Sequence, residues 1–191
     1  MDLEFFIFRH GQTDWNAERR VQGHTDIALN EVGRREAELL GERLKDLKIE
    51  KVFSSDLSRA LETAKISNPN TEIESSSRLR EAHFGEAEGK IFTDVLKEFG
   101  EEYFRTEPEF WDHRIAGGET KREVIDRIWA YLNEIANEQK YSSVGISTHG
   151  GVIRNIIHSL LPPETPKIEI PNCCVYQVTY KNSKFELIGR L

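Results

Sequence analysis

Short apolar runs alternate along this chain with longer stretches whose apolar residues recur every three or four positions. Leu3 to Phe8 is apolar at all but one position and reads as a buried strand. Asn30 stands where a cap belongs, ahead of a helix expected to reach about Leu47, with Val32, Leu40, Leu44 and Leu47 on one face. Lys51 to Ser54 predicts a second short strand, and Ser55 or Asp56 is placed to cap the helix after it. Thr71 to Glu74 predicts a third strand. Thr120-Lys121-Arg122-Glu123 has the spacing of a capping box, just after the breaker Gly117-Gly118. The helix it opens carries Val124, Ile125, Ile128, Leu132 and Ile135 on one side, down to about Glu138.

Ser143 to Ser147 predicts a buried strand, followed by a strongly apolar helix with Val152, Ile153, Ile156, Ile157 and Leu160, which Pro162-Pro163 ends. Cys174 to Tyr180 and Lys184 to Ile188 alternate as strands, and Asn182-Ser183 suits the turn of a hairpin. Strands and helices in alternation predict an α/β layered fold: a mainly parallel sheet between helical layers, with a C-terminal antiparallel hairpin. Two stretches break the pattern. Ala17 to Leu29, polar and rich in Arg, reads as an irregular loop. Residues 85–118 carry Phe92, Phe99, Phe104, Phe110 and Trp111 without a clean period and read as an inserted segment lying over the site. Residues 1–191 are expected to form one domain, with no repeat, low-complexity tract or linker.

Composition narrows the picture. With 38% hydrophobic and 31% charged residues the chain should be soluble and globular. A net charge of −7 argues against a general nucleic-acid binder and makes any cationic pocket a local arrangement. Neither a membrane-length apolar run nor a signal-peptide pattern is seen, so a cytoplasmic location is expected. The only cysteines, Cys173 and Cys174, are adjacent. A disulfide framework is thereby excluded, and neighbours on a strand should face opposite sides. They also fail as a cysteine-phosphatase loop, because no Arg follows within Val175 to Lys181.

The chemistry gathers at strand ends. Arg9 and His10 follow the first strand, Arg59 follows the second, and His149 precedes the apolar helix. In a parallel sheet these junctions share one edge, where open α/β sheets build their sites. Arg forks pair bidentately with the oxygens of a dense anion, so phosphate is the best match. Gly11 lets the chain turn after His10 without a Cβ clash. Competing motifs are weak: Gly85 to Lys90 is one residue short of a P-loop and Ile91 follows it, and no dinucleotide or zinc-protease motif occurs.

Arg9-His10-Gly11-Gln12-Thr13-Asp14-Trp15-Asn16, then Gln22-Gly23-His24-Thr25-Asp26, then Ser55-Asp56-Leu57 with Arg59-Ala60, resembles the histidine phosphatase superfamily, also called the phosphoglycerate mutase-like family. Leu79-Arg80-Glu81, Phe84-Gly85, Gly117-Gly118-Glu119-Thr120, Thr148-His149-Gly150-Gly151 and Pro171-Asn172-Cys173 follow in that family's order. The resemblance implies a three-layer α/β/α sandwich and a phosphomonoester hydrolase. His10 would be the nucleophile, forming a phosphohistidine that water hydrolyses. Arg9, Arg59 and His149, with Gly150 beside them, would hold the phosphoryl oxygens. Asn16 would contact phosphate, and Gln22 with Gly23 would face substrate. Glu81 would be the general acid, a role needing a raised pKa from desolvation by Phe84 and the covering segment.

The resemblance calls for no metal or other cofactor, since side chains supply the cations. The expected partner is a small phosphomonoester substrate, with no nucleic acid and no membrane, and there is room for a homodimer. His24, His83, His113 and His158 are read as structural, with His83 and His113 also considered as substrate contacts. One departure concerns Ala87-Glu88-Gly89, where an aromatic residue often precedes Glu-Gly in the family. Two other readings stay open: a phosphoglycerate mutase, for which the stretch from Glu81 to His149 is compact, and a non-catalytic phosphate-sensing module, which would be expected to lack His10 or Glu81.

Overall fold

The computed structural model describes residues 2–105 and 108–191. Among them six strands form one sheet: β1 Leu3–Arg9, β2 Lys51–Ser55, β3 Ile73–Ser76, β4 Ser143–Thr148, β5 Val175–Lys181 and β6 Lys184–Arg190. Their order is β3-β2-β4-β1-β5-β6. The three pairings from β3 across to β1 are parallel, and β5 and β6 join antiparallel. Asn182 and Ser183 both have positive φ, as a tight two-residue hairpin turn demands.

The helices are α1 Asp14–Ala17, α2 Glu31–Leu44, α3 Ser58–Ser67, α4 Phe92–Phe99, α5 Lys121–Glu138 and α6 Gly150–Leu160. Side chains of β1 alternate between two layers. Phe5 and Ile7 pack with Val124, Ile128 and Leu132 of α5 and Val152, Ile153 and Ile156 of α6. Phe6 and Phe8 pack with Ala37, Leu40 and Leu44 of α2 and Ala64 of α3. All four β1 residues are buried, as in a strand covered on both faces. Cys174 joins the first layer and Cys173 the second, both as free thiols, so the adjacent cysteines do face opposite ways.

Three local expectations change. The inward face of α2 is Gly33, Ala37, Leu40 and Leu44, while Val32 is 49% exposed and the helix ends at Leu44. The reason is Gly33: its backbone packs so tightly on Gly11 and Gln12 that a Cβ at either glycine would overlap the other segment. Gly11 has no positive φ, so it supplies room there and not a left-handed turn. The third change is at α3, whose cap residue is Leu57, without a side-chain bond. Asp56 is drawn away to Arg80 at 2.7 Å, and the free Ser58 N–H is taken at 2.8 Å by Asp26 from the polar loop. Thr120 caps α5 in the predicted box with Glu123, and Asn30 caps α2 through the Gly33 N–H.

The segment expected to cover the site runs through α4 and includes residues 106 and 107, which lie outside the described residues. Its parts build a small core of their own: Val21, Ala87, Val95 and Ile115, with Phe84, Phe92, Phe99 and Phe104 against it. Backbone bonds tie it to the polar loop, Val21 N–H to Lys90 O at 3.0 Å and Phe92 N–H to Arg19 O at 2.8 Å.

Candidate active site

Arg9, His10, Arg59 and His149 owe their places to strand ends. β1 and β4 run parallel with Arg9 opposite Thr148, so His10 and His149 leave the sheet side by side. Their ring centroids are 5.2 Å apart. The Gly11 N–H donates to Thr63 Oγ1 at 3.0 Å, and Asn172 Nδ2 donates to the His10 carbonyl at 2.9 Å, which fixes the His10 backbone from two sides.

The His10 ring is 3% exposed. Its Nδ1 lies 2.7 Å from Gly11 O. A carbonyl only accepts, so this partner assigns the proton to Nδ1 and leaves Nε2 with its lone pair. Burial, then the charges of Arg59 and Arg9, hold the His10 pKa well below the usual histidine value. The ring is held neutral, with the lone pair of Nε2 free. His149 is likewise held neutral, by burial first and then by Arg59, His10 and Arg9. Arg59 Nε donates to His149 Nδ1 at 3.3 Å, so His149 carries its proton on Nε2 and gives it to Ser55 Oγ at 2.8 Å.

Arg59 is 1% exposed and reaches the site from the first turn of α3. It donates to Gly23 O at 2.7 Å and Thr25 O at 2.9 Å. Burial brings its pKa down to about 10, so the guanidinium keeps its charge at neutral pH. Arg9 donates NH1 to Ile170 O at 2.6 Å, but its buried Nε has no partner. Gln22 Oε1 is the other buried side-chain polar atom without one among the described residues. Buried groups of this kind are rare in folded proteins and are met by ordered water, an ion or a ligand. A cationic N–H left open there suits an anion. The Gln22 oxygen suits a donor on the ligand, or turns so that its amide nitrogen faces the anion.

Above this floor opens a cavity of about 840 Å³, lined by Arg9, Asn16, Glu81 and Gly150 among others, with Phe84, Phe92 and Phe104 in its walls. His10, Arg59, His149, Gln22 and Gly23 do not line it and are buried. Asn16 Oδ1 is occupied by Thr13 N–H at 3.1 Å and Asn172 Nδ2 at 3.3 Å, so Nδ2 is its atom left for a ligand. Glu81 accepts Ala82 N–H at 3.0 Å and, at the N-terminus of α6, Gly151 N–H at 2.8 Å. A Cβ on Gly151 would overlap the Glu81 carboxylate, which explains the second glycine of the pair. Arg127 holds the Glu81 carbonyl at 2.9 Å. His83 stacks on His24 and His113 on Phe110, and neither lines this cavity.

One residue the sequence reading passed over organises the loop. Glu88 accepts the N–H groups of His24 at 2.9 Å, Phe84 at 3.0 Å and Thr25 at 2.8 Å, and the Thr25 hydroxyl at 2.5 Å. Gly23 C=O and His24 N–H belong to one peptide unit, so Arg59 and Glu88 face each other across a single peptide plane. Gly23, at φ +57°, leaves space for that carboxylate, where a Cβ would overlap it. Only the Glu-Gly motif hinted at this role, and spacing gave no reach to the loop.

Fold and floor together define an α/β protein with paired histidines and arginines buried at the carboxyl edge of a parallel sheet. The chain belongs to the histidine phosphatase superfamily (branch 1), whose sequence profile matches residues 5–190. It is 39% identical over 171 residues to "Phosphoglycerate mutase-like protein 4" of Arabidopsis thaliana, covering 87% of this chain and 74% of that one. Among solved structures it is similar to a phosphoglycerate mutase from Bacillus anthracis, at TM-score 0.88 and 26% identity over 98% of this chain and 92% of the other. It is also similar to mycobacterial glucosyl-3-phosphoglycerate phosphatase Rv2419c in complex with VO3, at TM-score 0.85 and 26% identity over 98% of each chain. No helix among the described residues is long and apolar enough to cross a membrane.

Proposed function

We propose that this protein hydrolyses phosphomonoesters through a phosphohistidine on His10. The observation that carries the reading is the His10 ring itself, buried, neutral and protonated on Nδ1, with Nε2 free beside two guanidinium groups. Nε2 attacks phosphorus while the ester P–O bond breaks, and Glu81 gives its proton to the leaving oxygen. Water then attacks the phosphohistidine, Glu81 takes a proton from it, and the N–P bond breaks to return His10 with its lone pair. Splitting the displacement replaces one difficult step with two easier ones. The open Arg9 Nε and the remaining Arg59 N–H groups meet the charge spread over the equatorial oxygens. His149, engaged at both ring nitrogens, acts by keeping the Arg59 guanidinium turned toward the phosphoryl group.

Relatives named as mutases favour a second reading, in which the phosphoryl group on His10 returns to the substrate instead of passing to water. The test is a panel of phosphomonoesters and 3-phosphoglycerate, with and without bisphosphoglycerate, following free phosphate and isomer formation. Hydrolysis predicts phosphate release that drops by at least about 10³-fold in His10→Ala. Isomer formation without net release selects the mutase. Neither reaction, with tight phosphate binding, sinks both.

A further inference from the structure

The cavity holds more cationic character than one phosphoryl group uses. Arg154 lies on α6 four residues after Gly150, on the same helix face and roughly 6 Å along the axis from it. Its Nε donates to Ile168 O at 3.0 Å, and no described carboxylate lies within ion-pair distance of its terminal nitrogens. Lys167 stands at the exposed rim, with only a 3.5 Å bond to Phe104 O. Both side chains line the 840 Å³ cavity and also the smaller hollow beside Glu81 and Lys121. By contrast Arg20, Arg34, Arg78, Arg80, Arg114, Arg122 and Arg127 are each paired with an acid. Arg154 and Lys167 also repel each other: the arginine adds to desolvation in lowering the lysine pKa. Glu81 and Glu169 act on Arg154 from a distance and share the cavity wall, but neither forms an ion pair with it. Two adjacent cations without a direct carboxylate contact, at the wall of a ligand-sized cavity, suit an anion.

Resting on the hydrolase reading, we propose that Arg154 and Lys167 form a second oxyanion subsite, so that the substrate is a phosphomonoester carrying a further carboxylate or phosphate. The walls between the two sites are Phe84, Phe92, Phe104, Ile91 and Ile168. A volume of 840 Å³ is in the range that holds ligands of drug size, about 300–1,000 Å³, so the body joining the two anions is a ring or apolar chain larger than a three-carbon acid. Arg154 fixes the direction of the distal group by its planar fork, and Lys167 adds charge at the mouth.

Calorimetry on the full chain tests this with non-hydrolysable phosphonates: phenylphosphonate, 3-carboxyphenylphosphonate and 1,3-phenylenediphosphonate. The acidic ligands are expected to bind about tenfold tighter than phenylphosphonate, with the advantage shrinking as salt rises. Whichever acidic ligand gains more identifies the source of the second oxyanion. In Arg154→Gln and in Lys167→Gln the advantage should fall toward one. Lys167, at the rim, carries the test should the Arg154 variant not fold. Equal binding of all three by the wild type, or a preference untouched in both variants, overturns the subsite. Turnover of the matching phosphate esters is read separately: a binding preference without phosphate release overturns the hydrolase reading and leaves the subsite standing.

Discussion

The floor of the site and its cover are built by opposite means. In the floor, His10, Arg59 and His149 each stand within a few residues of a strand end and are at most 3% exposed. Their polar atoms are held largely by backbone groups or by one another. In the cover, Phe84, Phe92 and Phe104 lean on each other at centroid separations of 5.0 to 6.1 Å, around a small core, and Ile91 is 40% exposed. A floor made of strand–helix junctions has little freedom, because sheet register fixes where each side chain begins. A cover made of aromatic packing can change its surface without changing the register beneath it. Substitutions in the floor should therefore act on kcat, and substitutions in the cover on KM.

The hardest test of that division is Gly151→Ala. Alanine for glycine within a helix ordinarily stabilises, by up to about 1 kcal/mol. Here the added Cβ would push the Glu81 carboxylate off the α6 N-terminus. Misplacing a reacting group by about 1 Å costs on the order of 10²-fold in rate. Steady-state kinetics should show kcat falling by that order with KM little moved, and a melting temperature that does not rise. A fully active variant would remove Glu81 from the reaction.

Glu88→Gln comes next. The amide keeps the shape but loses the charge and turns donors toward N–H groups that now find an acceptor. Leaving such buried groups unmet costs about 1–3 kcal/mol. With the Gly23–His24 peptide no longer polarised from both ends, Arg59 loses part of its hold, and orthovanadate should bind about tenfold more weakly. Unchanged vanadate affinity would mean that the loop orders itself without Glu88.

How far the sequence could be read follows the same division. His10, Arg9, Arg59 and His149 were legible because apolar runs announce strands, and parallel strands deliver their ends to one edge. The capping box at Thr120 and the inward face of α5 were legible from spacing alone. What was hidden required contacts between distant segments. Val32 faces outward because Gly33 must meet Gly11, and Asp26 replaces the expected cap of α3 because Asp56 is engaged by Arg80. Glu88 and Asn172 carry no period, and their value lies in backbone groups far away in the chain. The cover was read only as aromatic and irregular, since its small core is assembled from residues as separated as Val21 and Ile115.

A smaller effect tests the electrostatics of the floor. His10 and His149 have pKa values lowered in the folded protein, whereas in the unfolded chain they return to about 6.5. Below that pH the unfolded state binds more protons, so stability is present above about pH 6.5 and is lost as pH falls. Each histidine contributes a slope of about 1.4 kcal/mol per pH unit on the acid side. Between pH 7 and 5.5 the unfolded imidazoles charge only in part, so denaturant unfolding should show a loss of about 2.5 kcal/mol from the two together, and His149→Gln should remove about half of it. An equal slope in the variant would mean that His149 is not held neutral.

The smallest effect belongs to the cover. Phe104 lies edge-on to Phe92 at 5.0 Å and near Phe84 at 6.1 Å, and it lines the large cavity. Phe104→Leu keeps apolar volume while losing the ring contacts, each of which contributes about 0.5–1.5 kcal/mol beyond area burial. Phe104 packs against the small core of the cover, so the floor should not feel the change. KM for a ring-bearing phosphomonoester should rise about threefold to tenfold, kcat should move by less than about twofold, and inorganic phosphate should inhibit as before. Were kcat to fall with KM steady, the cover would be shaping the reacting geometry itself, and the separation of chemistry from specificity would have to be drawn inside the floor.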